Sequence, residues 1–149
     1  TGVQTCALPI LVAAGFWGEW VMGRVAESLQ LANHWTEWFD PDLVWASGPV
    51  LTISLLEYVV FAPIFEELAF RGILYAILRR RLSPMPAAMI SACIFAAAHG
   101  YGLIGFISVF WSGLLWAWLY ERTGSLIPGM IAHAMNNLLV CLTVMALLR

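Results

Sequence analysis

Leu51-Thr52-Ile53-Ser54-Leu55-Leu56-Glu57-Tyr58-Val59-Val60-Phe61-Ala62-Pro63-Ile64-Phe65-Glu66-Glu67-Leu68-Ala69-Phe70-Arg71 decides the fold. From about residue 43 to 65 the chain is almost uncharged, Glu57 being the exception. That run suffices for a membrane-crossing helix, which needs ~20 apolar residues. Helical character is expected to continue to Arg81, with a kink at Pro63, where a backbone donor is missing and the ring crowds the preceding turn. The run closes on Glu66, Glu67 and Arg71, and an ionisable group inside a membrane span is costly enough to point to function.

The rest of the chain has the same character. Of its 149 residues 62% are hydrophobic and 11% charged, with mean hydropathy +0.84, whereas a soluble domain is usually about half apolar and a quarter charged. The expectation is an all-α, polytopic transmembrane bundle with about four to five membrane helices. A net charge of -2 without a basic patch gives no footing for nucleic acid. Cys6, Cys93 and Cys141 are far apart, which argues against a disulfide framework; the latter two read as small hydrophobes.

Working outward, the chain divides into three parts. Residues 1–10 match, codon for codon, the translation of a common sequencing-library adapter, and are expected to be foreign to the native protein, with native helices missing upstream. Residues 11–48 are expected to hold a first membrane or interfacial helix, interrupted by Glu19, Arg24 and Glu27, and a Trp-rich loop. Trp favours the headgroup level, and His34 in that loop reads as a surface residue. Asp40-Pro41 reads as an N-cap followed by Pro at the first helical position. Residues 49–149 are the expected catalytic core: the helix just quoted, a second from Ser83-Pro84 to His99, a third over 103–120 and a fourth over 126–148. Arg79, Arg80, Arg81 and Arg122 fall in loops on one side and the acids of 37–42 on the other. Because Lys and Arg favour the cytoplasm, the arginine loops are expected there.

Helical spacing sorts the intramembrane polar groups. Glu67 and Arg71 are four apart and share a face, so they are expected to pair. Glu66 is turned ~100° away and is left as a free carboxylate. Phe95 and His99 share a face, as do His133 and Asn137. A carboxylate with an imidazole can deprotonate water, and an imidazole with an amide can stabilise an oxyanion. Asn136 is expected to bond a neighbouring helix, and Glu57, half a turn away from Glu66, to lie outside the site.

These residues resemble the CAAX-protease and bacteriocin-processing family of intramembrane endopeptidases over roughly residues 49–140. EExxxR stands as Glu66 to Arg71, FxxxH as Phe95 to His99, and HxxxN as His133 to Asn137. The resemblance implies that Glu66 and His99 activate water and that His133 and Asn137 form the oxyanion hole, with Glu67 and Arg71 in support. It implies a peptide or protein substrate at the membrane, lipid as surroundings, and a place in the bacterial cytoplasmic membrane. No metal cofactor is expected, since HExxH is absent; a zinc site built from two His and one Glu is the alternative. A non-catalytic immunity or scaffolding protein of the same fold, and a proton or solute transporter, are the rival functions.

Overall fold

The computed structural model describes residues 2–31 and 40–148. The expected Trp-rich loop lies mostly outside the described residues, as does His34. All regular structure among the described residues is helical: α1 (Gly2–Ser28), α2 (Pro41–Val44), α3 (Pro49–Arg79), α4 (Pro84–Ala98), α5 (Leu103–Thr123) and α6 (Ile127–Leu148). Of these, α3, α5 and α6 are long and apolar enough to cross a membrane. The apolar α4 has 15 residues, and α1 carries the charges that interrupt its apolar run. The protein is thus a helical membrane bundle with three full-length spans among the described residues and a shorter fourth apolar helix.

The helix ends follow from local chemistry. Asp40 caps α2 by accepting the Asp42 N–H at 2.9 Å, with Pro41 in the first turn. Ser83 precedes Pro84 at the start of α4, and Gly124, in the left-handed region at φ 63°, ends α5. The α3 helix stops at Arg79, two residues earlier than expected, because Arg80 and Arg81 turn back to bond the Ile77 and Leu78 carbonyls. Arg79 is held by Glu121 through two hydrogen bonds of 3.0 and 2.9 Å, and Tyr75 donates to the same carboxylate. This clasp brings the two arginine loops to one end of the bundle, as their spacing implied.

Packing places α5 at the centre. Half of its apolar window is buried, against 6% for α3, whose Ile53, Phe65, Ile73 and Ile77 face outward. Such an apolar exterior suits lipid rather than water. Apolar side chains gain nothing by leaving lipid for one another, so membrane helices associate through close backbone approach between small residues. Here Ala88 and Ala92 of α4 meet Gly113 and Ala117 of α5, all buried. A Cβ on Gly113 would lie 2.9 Å from that of Ala92, so this contact requires glycine. The α1 helix lies against α5 and α6, with the Trp111 indole donating to the Ala14 carbonyl at 3.1 Å.

Candidate active site

Three helices carry the motif residues to one place. Glu67 and Arg71 on α3 are 1% and 0% exposed, and Arg71 Nη1 donates to Glu67 Oε1 at 2.8 Å. The other guanidinium arm donates to the Gly113 carbonyl at 3.1 Å, tying α3 to α5 beside their close contact with α4. Two buried charges this far from water survive only when paired and hydrogen-bonded. Arg71 also lies 4.5 Å above the Phe95 ring, an attraction between cation and π-face that desolvation strengthens.

Phe95 is the hub. Its ring meets those of Phe70, His99 and His133 edge-on at centroid distances of 4.9, 4.7 and 6.0 Å. The expected Phe95–His99 packing is therefore present. His99 caps the end of α4, where its Nδ1 is 2.8 Å from the Phe95 carbonyl. A carbonyl can only accept, so Nδ1 carries the hydrogen, and in the neutral ring Nε2 is then an acceptor.

His133 on α6 stacks on Trp116 at 5.9 Å and is 5% exposed. Its Nδ1 lies 3.2 Å from Glu67 Oε1 and its Nε2 3.5 Å from Glu66 Oε2. This corrects the division expected from spacing alone: Glu67 is not spent on Arg71 but bridges Arg71 and His133. Glu66 keeps partial exposure, 29% of its side chain, and makes no contact with Arg71 short enough to count as an ion pair.

Glu66, His99, His133 and Asn137 line one cavity of about 420 Å³. Glu57 lines it too, against expectation. The reason is a wide π-helical turn at Glu57–Phe61. A straight α-helix would set Glu57 and Glu66 about 180° apart; the extra residue of a π-turn reduces this to about 80°. The turn traces to Pro63. In this register Ala62 N–H bonds the Glu57 carbonyl, five residues back, so residue 63 would next bond Tyr58. Proline has no N–H to give, and the Asn137 amide donates to the Tyr58 carbonyl instead, at 2.9 Å. Asn137 thus fastens α6 to α3, with one of its two amide hydrogens uncommitted by that bond. Asn136 corrects a further expectation: it lines the cavity, and its Oδ1 is buried without a hydrogen-bond partner among the described residues.

Sequence reasoning missed three cavity groups. Tyr58 donates to Asp40 Oδ2 at 2.8 Å, a contact between residues too distant for helical spacing to pair. Trp116 reads as core until His133 is found stacked on it. Ser112 had a faint signal, a hydroxyl in an uncharged span. Among the described residues no three His, Cys, Asp or Glu side chains converge as a metal-binding group.

A bundle with an apolar exterior around a cavity lined by carboxylates, two imidazoles and two carboxamides defines a class: a polytopic helical membrane protein with a polar site among its helices. Residues 48–139 match the family of type II CAAX prenyl endopeptidases, described as Rce1-like, and the chain belongs to that family. It is accordingly an integral membrane protein of a CAAX-type endopeptidase family, acting on peptide or protein substrate at the membrane. Neither the curated proteins nor the solved structures contain a match.

Proposed function

We propose that the chain hydrolyses a peptide bond in a membrane-associated substrate, in the bacterial cytoplasmic membrane, with water activated by Glu66 and His99. The observation that carries this reading is the shared cavity: Glu66, His99, His133 and Asn137 line it from three different parts of the bundle, with His133 Nε2 3.5 Å from Glu66. Glu66 takes a proton from water while the bare Nε2 of His99 accepts the second O–H and orients the oxygen. The oxygen attacks the carbonyl carbon and the carbonyl oxygen becomes an oxyanion. His133 and the second amide hydrogen of Asn137 donate to that oxyanion. Glu66 then gives its proton to the leaving nitrogen as the C–N bond breaks, leaving a new amine and a new carboxylic acid, which releases its remaining proton to solvent.

For His133 to donate from Nε2 while Nδ1 faces the acceptor Glu67, both nitrogens must bear hydrogen. Glu66 and Glu67 supply the negative charge beside such a ring. Arg71 pairs with Glu67 in turn, so a buried ion pair stands behind the reaction centre. The same arrangement favours chemistry without a metal, because the His133 nitrogens already face carboxylates rather than a common ligand point. Metal analysis of the purified protein, with activity measured after chelation, tests this: the expected result is full activity without stoichiometric zinc.

The central test uses a fluorogenic prenylated peptide with a CAAX terminus and the full chain in phospholipid vesicles. Glu66→Gln and His99→Ala should each lower turnover by about 10²–10⁴-fold, the usual contribution of a positioned acid or base. Wild-type rates in both variants would refute the assignment.

A further inference from the structure

Most hydroxyls of this bundle that bond within their own helix do so four residues back: Thr52 to Gly48, Thr123 to Leu119 and Thr143 to Leu139. Ser91 bonds across to Phe70 instead. Ser112 does neither. It is 8% exposed, it lines the catalytic cavity, and its hydroxyl meets no hydrogen-bond partner among the described residues. A hydroxyl that opens onto a cavity, rather than being sealed in as that of Ser108 is, can bond whatever enters.

The cavity itself says what would enter. Asp40, Glu57 and Glu66 line it, and no Lys or Arg does. Ionised carboxylates only accept hydrogen bonds, so the donors on these walls are the cavity's Tyr, Trp, His, Asn and Ser side chains. The Tyr58 hydroxyl is already given to Asp40 and one Asn137 hydrogen to the Tyr58 carbonyl. A peptide lying here finds acceptors readily for its N–H groups, whereas its carbonyl oxygens need donors. Ser112 is such a donor, and its place is fixed. It precedes Gly113, whose carbonyl holds Arg71, and it stands one turn from Trp116, which stacks on His133.

We infer that the Ser112 hydroxyl donates a hydrogen bond to a carbonyl oxygen of the bound peptide substrate, making it a substrate-contacting residue outside the three sequence motifs. This rests on the endopeptidase reading and deepens it.

The test is Ser112→Ala and Ser112→Cys in the full chain in vesicles, cleaving the fluorogenic prenylated CAAX peptide. Both variants keep the side-chain size close to that of serine, and both remove the good donor. The expected result is a fall in kcat/KM of about 3- to 20-fold in each, the range for one neutral hydrogen bond, with melting temperature unchanged. Binding of the same peptide to Glu66→Gln, with and without Ser112→Ala, adds a readout that needs no turnover, and the double variant should bind more weakly. Unchanged kcat/KM together with unchanged binding overturns the inference, as does a loss that follows a fall in melting temperature. Activity retained by Glu66→Gln would instead overturn the catalytic reading, so the two failures are distinguishable.

Discussion

Arg71 shows at the scale of one residue how support and chemistry are joined. It is fully buried, pairs with Glu67, holds the Gly113 carbonyl and covers Phe95. Arg71→Ala leaves buried Glu67 with His133 as its one remaining partner, and breaking a buried pair costs about 3–5 kcal/mol. We expect a large drop in melting temperature, measured in detergent or vesicles, and Arg71→Lys should recover only part of it because a single ammonium lacks the planar fork that reaches two acceptors. Spacing alone made the Glu67–Arg71 pair legible, four residues on one helix. The contact of Glu67 with His133 was not legible, because it joins residues 66 apart in the chain and depends on how closely α6 approaches α3.

At the scale of elements the wide turn in α3 is the informative feature. Pro63 announced a disturbance in the sequence, but not the wide turn before it, in which the chain takes one extra residue. That extra residue decides where Glu57 points. In Pro63→Ala the restored N–H can bond within the helix, letting the turn relax toward ordinary α register and swinging Glu57 away from the cavity. We expect equal or higher thermal stability with lower kcat/KM, the trade found where a strained element serves a site. A loss of stability with full activity would contradict this account. Between α4 and α5, Gly113→Ala forces apart two backbones in contact with Ala92. Overpacking of this sort costs about 1–3 kcal/mol, visible as a lowered melting temperature.

For the whole molecule, composition alone was enough to read a membrane bundle, and the motifs singled out Glu66, His99, His133 and Asn137, which the fold brings to one cavity. What the sequence left out came from packing: the cavity shared with Glu57 and Ser112, and the clasp of Arg79 on Glu121. Both concern pairs of helices, and neither leaves a periodic trace within one. The shortness of α4 has a consequence for how the reaction is supplied. At 15 residues it spans about 22 Å, against a hydrocarbon core of about 30 Å. Its end, with His99 and the Gly100–Gly102 turn, therefore stops several ångströms below the far surface unless the bilayer thins to meet it. Hydrolysis inside lipid has two reactants, and the scarcer one is the solvent. A shallow dimple over the end of α4 would deliver it. Turnover should accordingly be faster in short-chain than in long-chain phosphatidylcholine vesicles, because a thinner membrane shortens the path that hydration has to cover.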